Sequence, residues 1–358
     1  MSRGGERGGE THLTSLTLTE LRARGGWEGV GSRGAVCRVP GRVSNPESRG
    51  LPEQAIEFPA VPVQKALVPA MTREGLILKI DCPDRPGLVA KIANYVADYH
   101  GNLVEFHQFT DTVNERFFAR LEIDTEGLEV EVEDFMSGFG TLGRALHGRW
   151  HFRRLPYTMR TAVMVTRTGH CLNEILWRAR LGEMPVEITS IIGNRDHCQG
   201  IAESAGIPFH LVESGKTPDE REAAFRRIAG ILDAEAVELV VLARYMQIIP
   251  DWLCEIYAGR MINIHHSFLP AFVGANPYRK AYERGVKLIG ATCHYVTADL
   301  DAGPIIEQAV ERVQHYHTVD DLIRLGRDCE RSALARGIRY HVHDRTIIDR
   351  NRAIVFPD

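Results

Sequence analysis

Asn263, His265, His266 and Ser267 stand at the end of a short apolar run, Met261 to Ile264, and are closed off by Leu269 and Pro270. A second apolar run, Leu288 to Val296, carries His294 and leads into Asp299, Asp301 and Gly303. Both runs read as buried strands, and polar side chains at strand ends are how an open α/β sheet presents a site. The residue types suit acyl chemistry. An amide and an imidazole can donate to a developing oxyanion, and a carboxylate, directly or through the imidazole, can take a proton from water. A carboxylate in a crevice between apolar strands is expected to have a raised pKa. Singly, Asn263 reads as a turn residue, His265 as a satisfied buried histidine and Asp301 as a turn initiator. Together the two blocks favour chemistry.

The pair of blocks resembles the folate-dependent formyltransferases, whose signature is Asn-x-His-x-Ser-x-Leu-Pro followed by Asp-Ala-Gly-Pro-Ile-Ile; residues 263–270 and 301–306 match it. Within that group, the doubled His265-His266 and the segment Val286 to Thr292 resemble the formyltetrahydrofolate deformylases, from about residue 74 onward. The resemblance implies a triad of Asn263, His265 and Asp301, with Ser267, His294 and Gly303 in support. It implies a pterin pocket along Arg244, Tyr245, Met246, Gln247 and Ile248, covered from the other side by Thr297, Ala298, Asp299 and Leu300. The implied reaction is hydrolysis of 10-formyltetrahydrofolate to formate and tetrahydrofolate, which balances one-carbon folate pools and supplies formate, linked to purine synthesis. No cofactor is implied, because tetrahydrofolate is the carrier itself.

Two alternatives stand beside this reading. One is a formyltransferase acting on a small amine, which needs an acceptor pocket near Gly169 and Asn173. The other is a catalytically idle protein that senses folate or an amino acid. Glycinamide ribonucleotide formyltransferases carry a glycine-rich loop after their first strand, and Arg167-Thr168-Gly169-His170-Cys171-Leu172 departs from it. That departure points to water as the acceptor. The same single glycine gives poor support to a dinucleotide site.

The elements that must position these residues alternate in type. Strands are expected at Thr161–Thr166, Val186–Ile192, Pro208–Val212 and Glu238–Leu242, with helices at Cys171–Arg180, Gln199–Ala205 and Asp219–Leu232. Such alternation predicts an α/β fold, an open, mostly parallel Rossmann-like sheet over residues 161–358. The C-terminal part reads as a long helix over His317–Ala335 and two short strands at Arg339–His343 and Ala353–Phe356. His315, His317, His341 and His343 are read as exposed, since no cysteine or consistent carboxylate set accompanies them.

Residues 74–153 show a βαββαβ order, a ferredoxin-like plan. Strands are expected at Leu76–Ile80, Leu103–Phe109, Phe117–Ile123 and Gly148–Arg153. Helices are expected at Leu88–Tyr99, with Asp84 as N-cap, and at Leu128–Leu146. The turn Asp84-Arg85-Pro86-Gly87 resembles the opening of ACT domains, in which an amino-acid effector sits at a subunit interface. The resemblance implies an effector site at Asp84, Arg85, Gly87 and Asn102, and a homo-oligomer. Residues 154–160 read as a linker. Residues 1–73, rich in glycine and arginine without a sustained period, read as a disordered leader or as sequence upstream of the true start.

Composition sets the outer limits. The 358 residues suffice for two cores, and the 44% hydrophobic and 25% charged fractions are those of a soluble protein. A formal net charge of −4 without a basic patch argues against nucleic-acid binding, and no apolar run argues for a membrane span. Seven dispersed cysteines without a CxxC point to reduced thiols in the cytoplasm, and neither CxxC nor HExxH suggests a catalytic metal. Cys293, beside the site, is read as a small buried hydrophobe.

Overall fold

The computed structural model describes residues 74–269 and 277–357, so the leader expected over residues 1–73, together with Pro270, lies outside the described residues. The first elements are β1 (Gly75–Pro83), α1 (Leu88–Asp98), β2 (Asn102–Asp111), β3 (Arg116–Asp124), α2 (Val132–Ala145) and β4 (Arg149–Leu155). Their strands form an antiparallel sheet in the order β2-β3-β1-β4. Alternate residues of β1 and β3, from Leu76 to Cys82 and from Phe117 to Ile123, pack with Ile92, Val96, Phe135 and Phe139 of the two helices. Period 2 in the strands and period 3–4 in the helices therefore meet in one core.

The helix starts differ from expectation. Gly87, at φ 87°, caps α1 without any side-chain cap, while the Asp84 backbone N–H donates to the Glu115 carbonyl. A left-handed cap residue suits glycine and leaves Asp84 too far upstream to serve. α2 starts at Val132 rather than Leu128, because Thr125 to Leu128 closes a turn first.

The second sheet is built from β5 (Met159–Val165), α3 (His170–Arg180), β6 (Val186–Gly193), α4 (Gln199–Ala205), β7 (Phe209–Leu211), α5 (Pro218–Ala234), β8 (Leu239–Leu242), α6 (Asp251–Ile256), β9 (Met261–His265), α7 (Pro277–Arg284), β10 (Leu288–Tyr295), β11 (Ile305–Arg312) and α8 (Val319–Val342). A hairpin of β12 (Thr346–Asp349) and β13 (Arg352–Val355) closes the described chain. The seven-stranded order is β11-β10-β9-β8-β5-β6-β7. The strands β9-β8-β5-β6-β7 run parallel, and β10 and β11 are antiparallel additions at one edge. This is the open, mostly parallel α/β fold expected. All four residues of β8 are buried; Leu239 and Val241 enter the core under α3 and α8, and Val240 and Leu242 the core under α5. A strand covered on both faces has no need to alternate. Thr217 and Glu220 form a reciprocal capping box that starts α5.

The C-terminal reading needs correction. Arg339–His343 is not a strand: α8 continues to Val342 because Leu334, Ile338 and Val342 extend its buried stripe at four-residue spacing. His341 is not exposed; its Nδ1 lies 2.9 Å from the Tyr295 hydroxyl, and burial pushes its imidazole down to about 3. Short α6 and α7, and β11 with four exposed residues, carry too weak a pattern to be seen in sequence. Among the described residues no helix is long and apolar enough to cross a membrane.

Candidate active site

β9 and β10 pair antiparallel with Asn263 opposite His294 and His265 opposite Thr292. Residues facing each other across a ladder present adjacent side chains. The Asn263 Nδ2 lies 3.2 Å from His294 Nε2, and His294 Nδ1 lies 2.8 Å from the Tyr295 carbonyl. A carbonyl only accepts, so His294 carries its proton on Nδ1 and its Nε2 accepts from the Asn263 amide. One amide hydrogen of Asn263 is thus used, and the other is available. Two residues further along β9, His265 Nδ1 sits 3.1 Å from Asp301 Oδ2. The second Asp301 oxygen is 3.6 Å from His294 Nε2. His265 is buried, and its Nε2 has no hydrogen-bond partner among the described residues.

Asp301 reaches this position through a tight turn. Its own φ is 54°, and the Ala302 N–H donates to the Asp299 carbonyl. A Cβ on Gly303 would stand 1.9 Å from the Tyr295 carbonyl oxygen, so only glycine lets the chain pass β10 there. The Asp301 carboxyl is not raised, contrary to expectation. The hydrogen bond from His265 holds it well below the usual carboxylate range despite partial burial. An imidazole N–H donating to a half-shielded carboxylate outweighs its desolvation.

The triad lies in a cavity of about 880 Å³ that opens between the ends of β8, β9 and β10 and α8. Arg244, Tyr245, Met246, Gln247 and Ile248 line it, as do Thr297, Ala298 and Leu300 across the cleft. Met246, Ile248 and Leu300 are mostly exposed side chains, a surface suited to a flat apolar ring. The Met246 N–H donates to Thr166 Oγ1, which ties this segment back to β5. Asp299 does not line the cavity; its carbonyl accepts from Thr297 Oγ1 and shapes the turn instead. Ser267 and Gly303 also stand behind the wall. The Ser267 carbonyl accepts from Thr292 Oγ1, whose oxygen accepts from the Leu269 N–H. Cys293 is fully buried, and burial pushes its thiol up.

The formyl transferase family model matches residues 159–338, and the ACT domain model matches residues 76–137. Formyltetrahydrofolate deformylase from Bacillus subtilis is 41% identical over 280 residues, covering 78% of this chain and 93% of that protein. The deformylase from Synechocystis is 43% identical, with 78% and 97% covered. The crystal structure of a formyltetrahydrofolate deformylase from Pseudomonas syringae superposes with a TM-score of 0.77 at 41% identity, covering 80% of this chain and 96% of that one. The chain belongs to the formyltetrahydrofolate deformylase family.

A second charged centre in the same deformylase cleft escaped the sequence reading. Glu330 of α8 is 1% exposed; its Oε2 lies 2.7 Å from His170 Nε2 at the start of α3, and its Oε1 accepts from the Tyr278 hydroxyl at 2.7 Å. Arg244 Nε stands 3.4 Å from Glu330 Oε2. Burial alone pushes Glu330 up, but the hydrogen bond from His170, the Arg244 charge and the Tyr278 hydroxyl outweigh it and hold the carboxyl low. Gly326, one turn before Glu330, gives the Tyr278 ring room to cross α8; a Cβ there would meet the ring at 2.2 Å. No motif marks Glu330, one acid among many charges on a long helix. His170, Cys171 and Glu330 bring donor atoms within 4.8 Å of one another. With Glu330 already engaged by three groups and the buried Cys171 thiol pushed up, this is an ion-pair cluster rather than a cation site.

The four residues expected at an effector site do not converge within one chain. Asn102 pairs with Asp124, which also faces Gly75 at the start of β1, whereas Asp84 to Gly87 follow Pro83 at its end. The length of β1 separates them, roughly 26 Å at the rise of a strand. Arg85 Nη2 donates to the Ala145 carbonyl at 2.7 Å.

Proposed function

We propose that the protein hydrolyses 10-formyltetrahydrofolate to formate and tetrahydrofolate, with Asn263, His265 and Asp301 as its catalytic residues. The observation that carries this reading is His265, a residue lining the cleft, anchored to Asp301 through Nδ1 while its buried Nε2 has no partner among the described residues. With Nδ1–H donating to the carboxylate, Nε2 is the lone pair that can accept a proton from water. The free Asn263 amide hydrogen suits the formyl oxygen as negative charge develops on it. The water oxygen bonds to the formyl carbon, the carbon–N10 bond breaks, and the proton held on His265 passes to N10. Asp301 stabilises the imidazolium formed in between. His294 positions the Asn263 amide, and the apolar walls at Met246, Ile248 and Leu300 hold the pterin.

Four further parts of this reading go together. An amino-acid effector binds at Asp84, Arg85 and Gly87, and a homo-oligomer brings Asn102 to that turn from a second copy. Asp84, Arg85 and Gly87, just before α1, are half-buried or exposed, which supports a surface contact there. Residues 74–153 act as the regulatory part and 161–358 as the catalytic part. The protein works in the cytoplasm, which the six free, buried cysteines among the described residues support.

The test is formate release from 10-formyltetrahydrofolate by the purified protein without any added amine, beside Asp301→Asn and His265→Ala. Rapid release by the parent protein and a loss of about 10²- to 10⁴-fold in kcat in either variant is the expected result. Formate release only on addition of an amine would make the protein a transferase. Release that survives both substitutions would remove these residues from the mechanism.

A further inference from the structure

The Arg244 guanidinium has a role that water activation does not use. Its side chain is 17% exposed, yet Nε and Nη1 are shielded from solvent and have no hydrogen-bond partner among the described residues. Nε is in ion contact with Glu330 but out of line for a hydrogen bond. Glu330 does not complete the pairing: its two oxygens accept from His170 and Tyr278, and the Arg244 Nε contact at 3.4 Å is not a hydrogen bond. The carboxylate therefore holds the guanidinium in place by charge and leaves its donors open. Buried donors of this kind call for an acceptor, and a charge-assisted bond to a carboxylate oxygen supplies one. Arg244 also keeps a left-handed backbone, φ 64°, a conformation that non-glycine residues hold mainly where the surroundings impose it.

The place of this centre narrows the ligand. His266 follows His265 with ring centroids 5.2 Å apart, and lies 6.5 Å from the Tyr278 ring that reaches Glu330. One imidazole thus separates the triad from the Arg244–Glu330 centre. Burial, then the Arg244 charge, pushes His266 down to about 4, so a neutral ring stands between the two.

We propose that Arg244, positioned by Glu330, His170 and Tyr278, is a carboxylate subsite that takes up formate, the anionic product. The inference rests on the hydrolytic reading above and adds the place where the cleaved one-carbon unit is received. Glu330 is a positioning residue: it touches Arg244, not the reacting atoms.

The experiment measures broadening of the ¹³C-formate resonance by the full-length protein without folate, and inhibition of hydrolysis by sodium formate against sodium chloride at constant ionic strength. Wild type, Arg244→Gln, Arg244→Lys and Glu330→Gln are compared. Arg244→Gln is expected to weaken formate binding at least tenfold, Arg244→Lys to retain part of it, and Glu330→Gln to weaken it while raising the formate inhibition constant more than the folate KM. If Arg244→Gln does not fold, as judged by circular dichroism, the Lys and Glu330 variants decide. Formate that broadens no more than an inert anion, or that binds Arg244→Gln as it binds wild type, overturns the subsite even when hydrolysis is intact. Formate binding that depends on Arg244 in a protein without hydrolysis keeps the subsite and removes the reaction. A second substrate, 10-formyltetrahydropteroate, lacks the glutamate. If the KM penalty of Arg244→Gln vanishes with it, the carboxylate comes from the folate tail and the formate assignment is wrong.

Discussion

Asp301 stays a carboxylate because the His265 imidazole donates to it, and this sets how the site should respond to acid. Its folded pKa lies below the ordinary aspartate value, so protonating it can cut activity only below about pH 4. A profile of kcat/KM between pH 8 and 4 should show no acid limb owed to this carboxyl group. A limb centred above pH 5 whose midpoint is unmoved by temperature, the mark of a carboxyl ionisation, would contradict the geometry. Asn263 owes its orientation to His294, whose own proton is fixed by the Tyr295 carbonyl. His265 and Asn263 are thus each held by a second polar group.

At the scale of elements, the site depends on the junction of β10 with the turn that carries Asp301. Tyr295 accepts no side chain opposite Gly303, and its N–H donates to the Pro304 carbonyl at 2.9 Å. Gly303→Ala should displace the turn, cost about 1–3 kcal/mol through overpacking, and move Asp301 off His265. Urea unfolding with parallel kcat measurement checks this; an alanine variant of full stability and activity would show that the close approach relaxes freely. The helix α8 contributes on both sides. Its middle turns carry Glu330 and the space for Tyr278, and its last turn places His341 beside the Tyr295 hydroxyl.

Across the whole molecule, the ACT-like sheet packs its second face on the C-terminal hairpin. Phe118 joins Ile347, Ile354 and Phe356 in a small apolar cluster. Around it, Asp344 is buried between Lys79 at 2.8 Å and Arg153, and the buried Arg120 meets Glu105 and the His343 carbonyl. Burial pushes Asp344 up, but the charges of Lys79 and Arg153 outweigh it and hold it at about 2. Its contribution is therefore complete above the unfolded value of about 3.9 and is lost as pH falls towards 2. His341 acts earlier. It is neutral when folded, with a pKa of about 3, but takes a proton in the unfolded chain below about pH 6.5, so stability declines from there downward. Thermal melts should fall progressively from pH 6.5 to 4 in the parent protein and less in His341→Gln. Equal slopes in the two would remove His341 as the cause.

What the sequence determined by itself was the order and type of the strong elements and the two motif blocks whose Asn263, His265 and Asp301 line one cavity. Fully apolar or strictly alternating strands such as β8 and β3 announce themselves, because burial on one or two faces dictates their pattern. The two motif blocks at 263–270 and 301–306 were legible for the same reason: several unlike residues at set spacing are hard to explain by packing alone. Tertiary structure decided what depends on neighbours distant in the chain. The pairing of β9 with β10 set Asn263 beside His294, and the approach of His265 lowered Asp301 where a crevice alone would have raised it. The fold also brought Glu330 to His170, 160 residues away, to hold Arg244. A charge on a helix carries no local sign of the partner that will bury it, so that second centre could be found only in three dimensions.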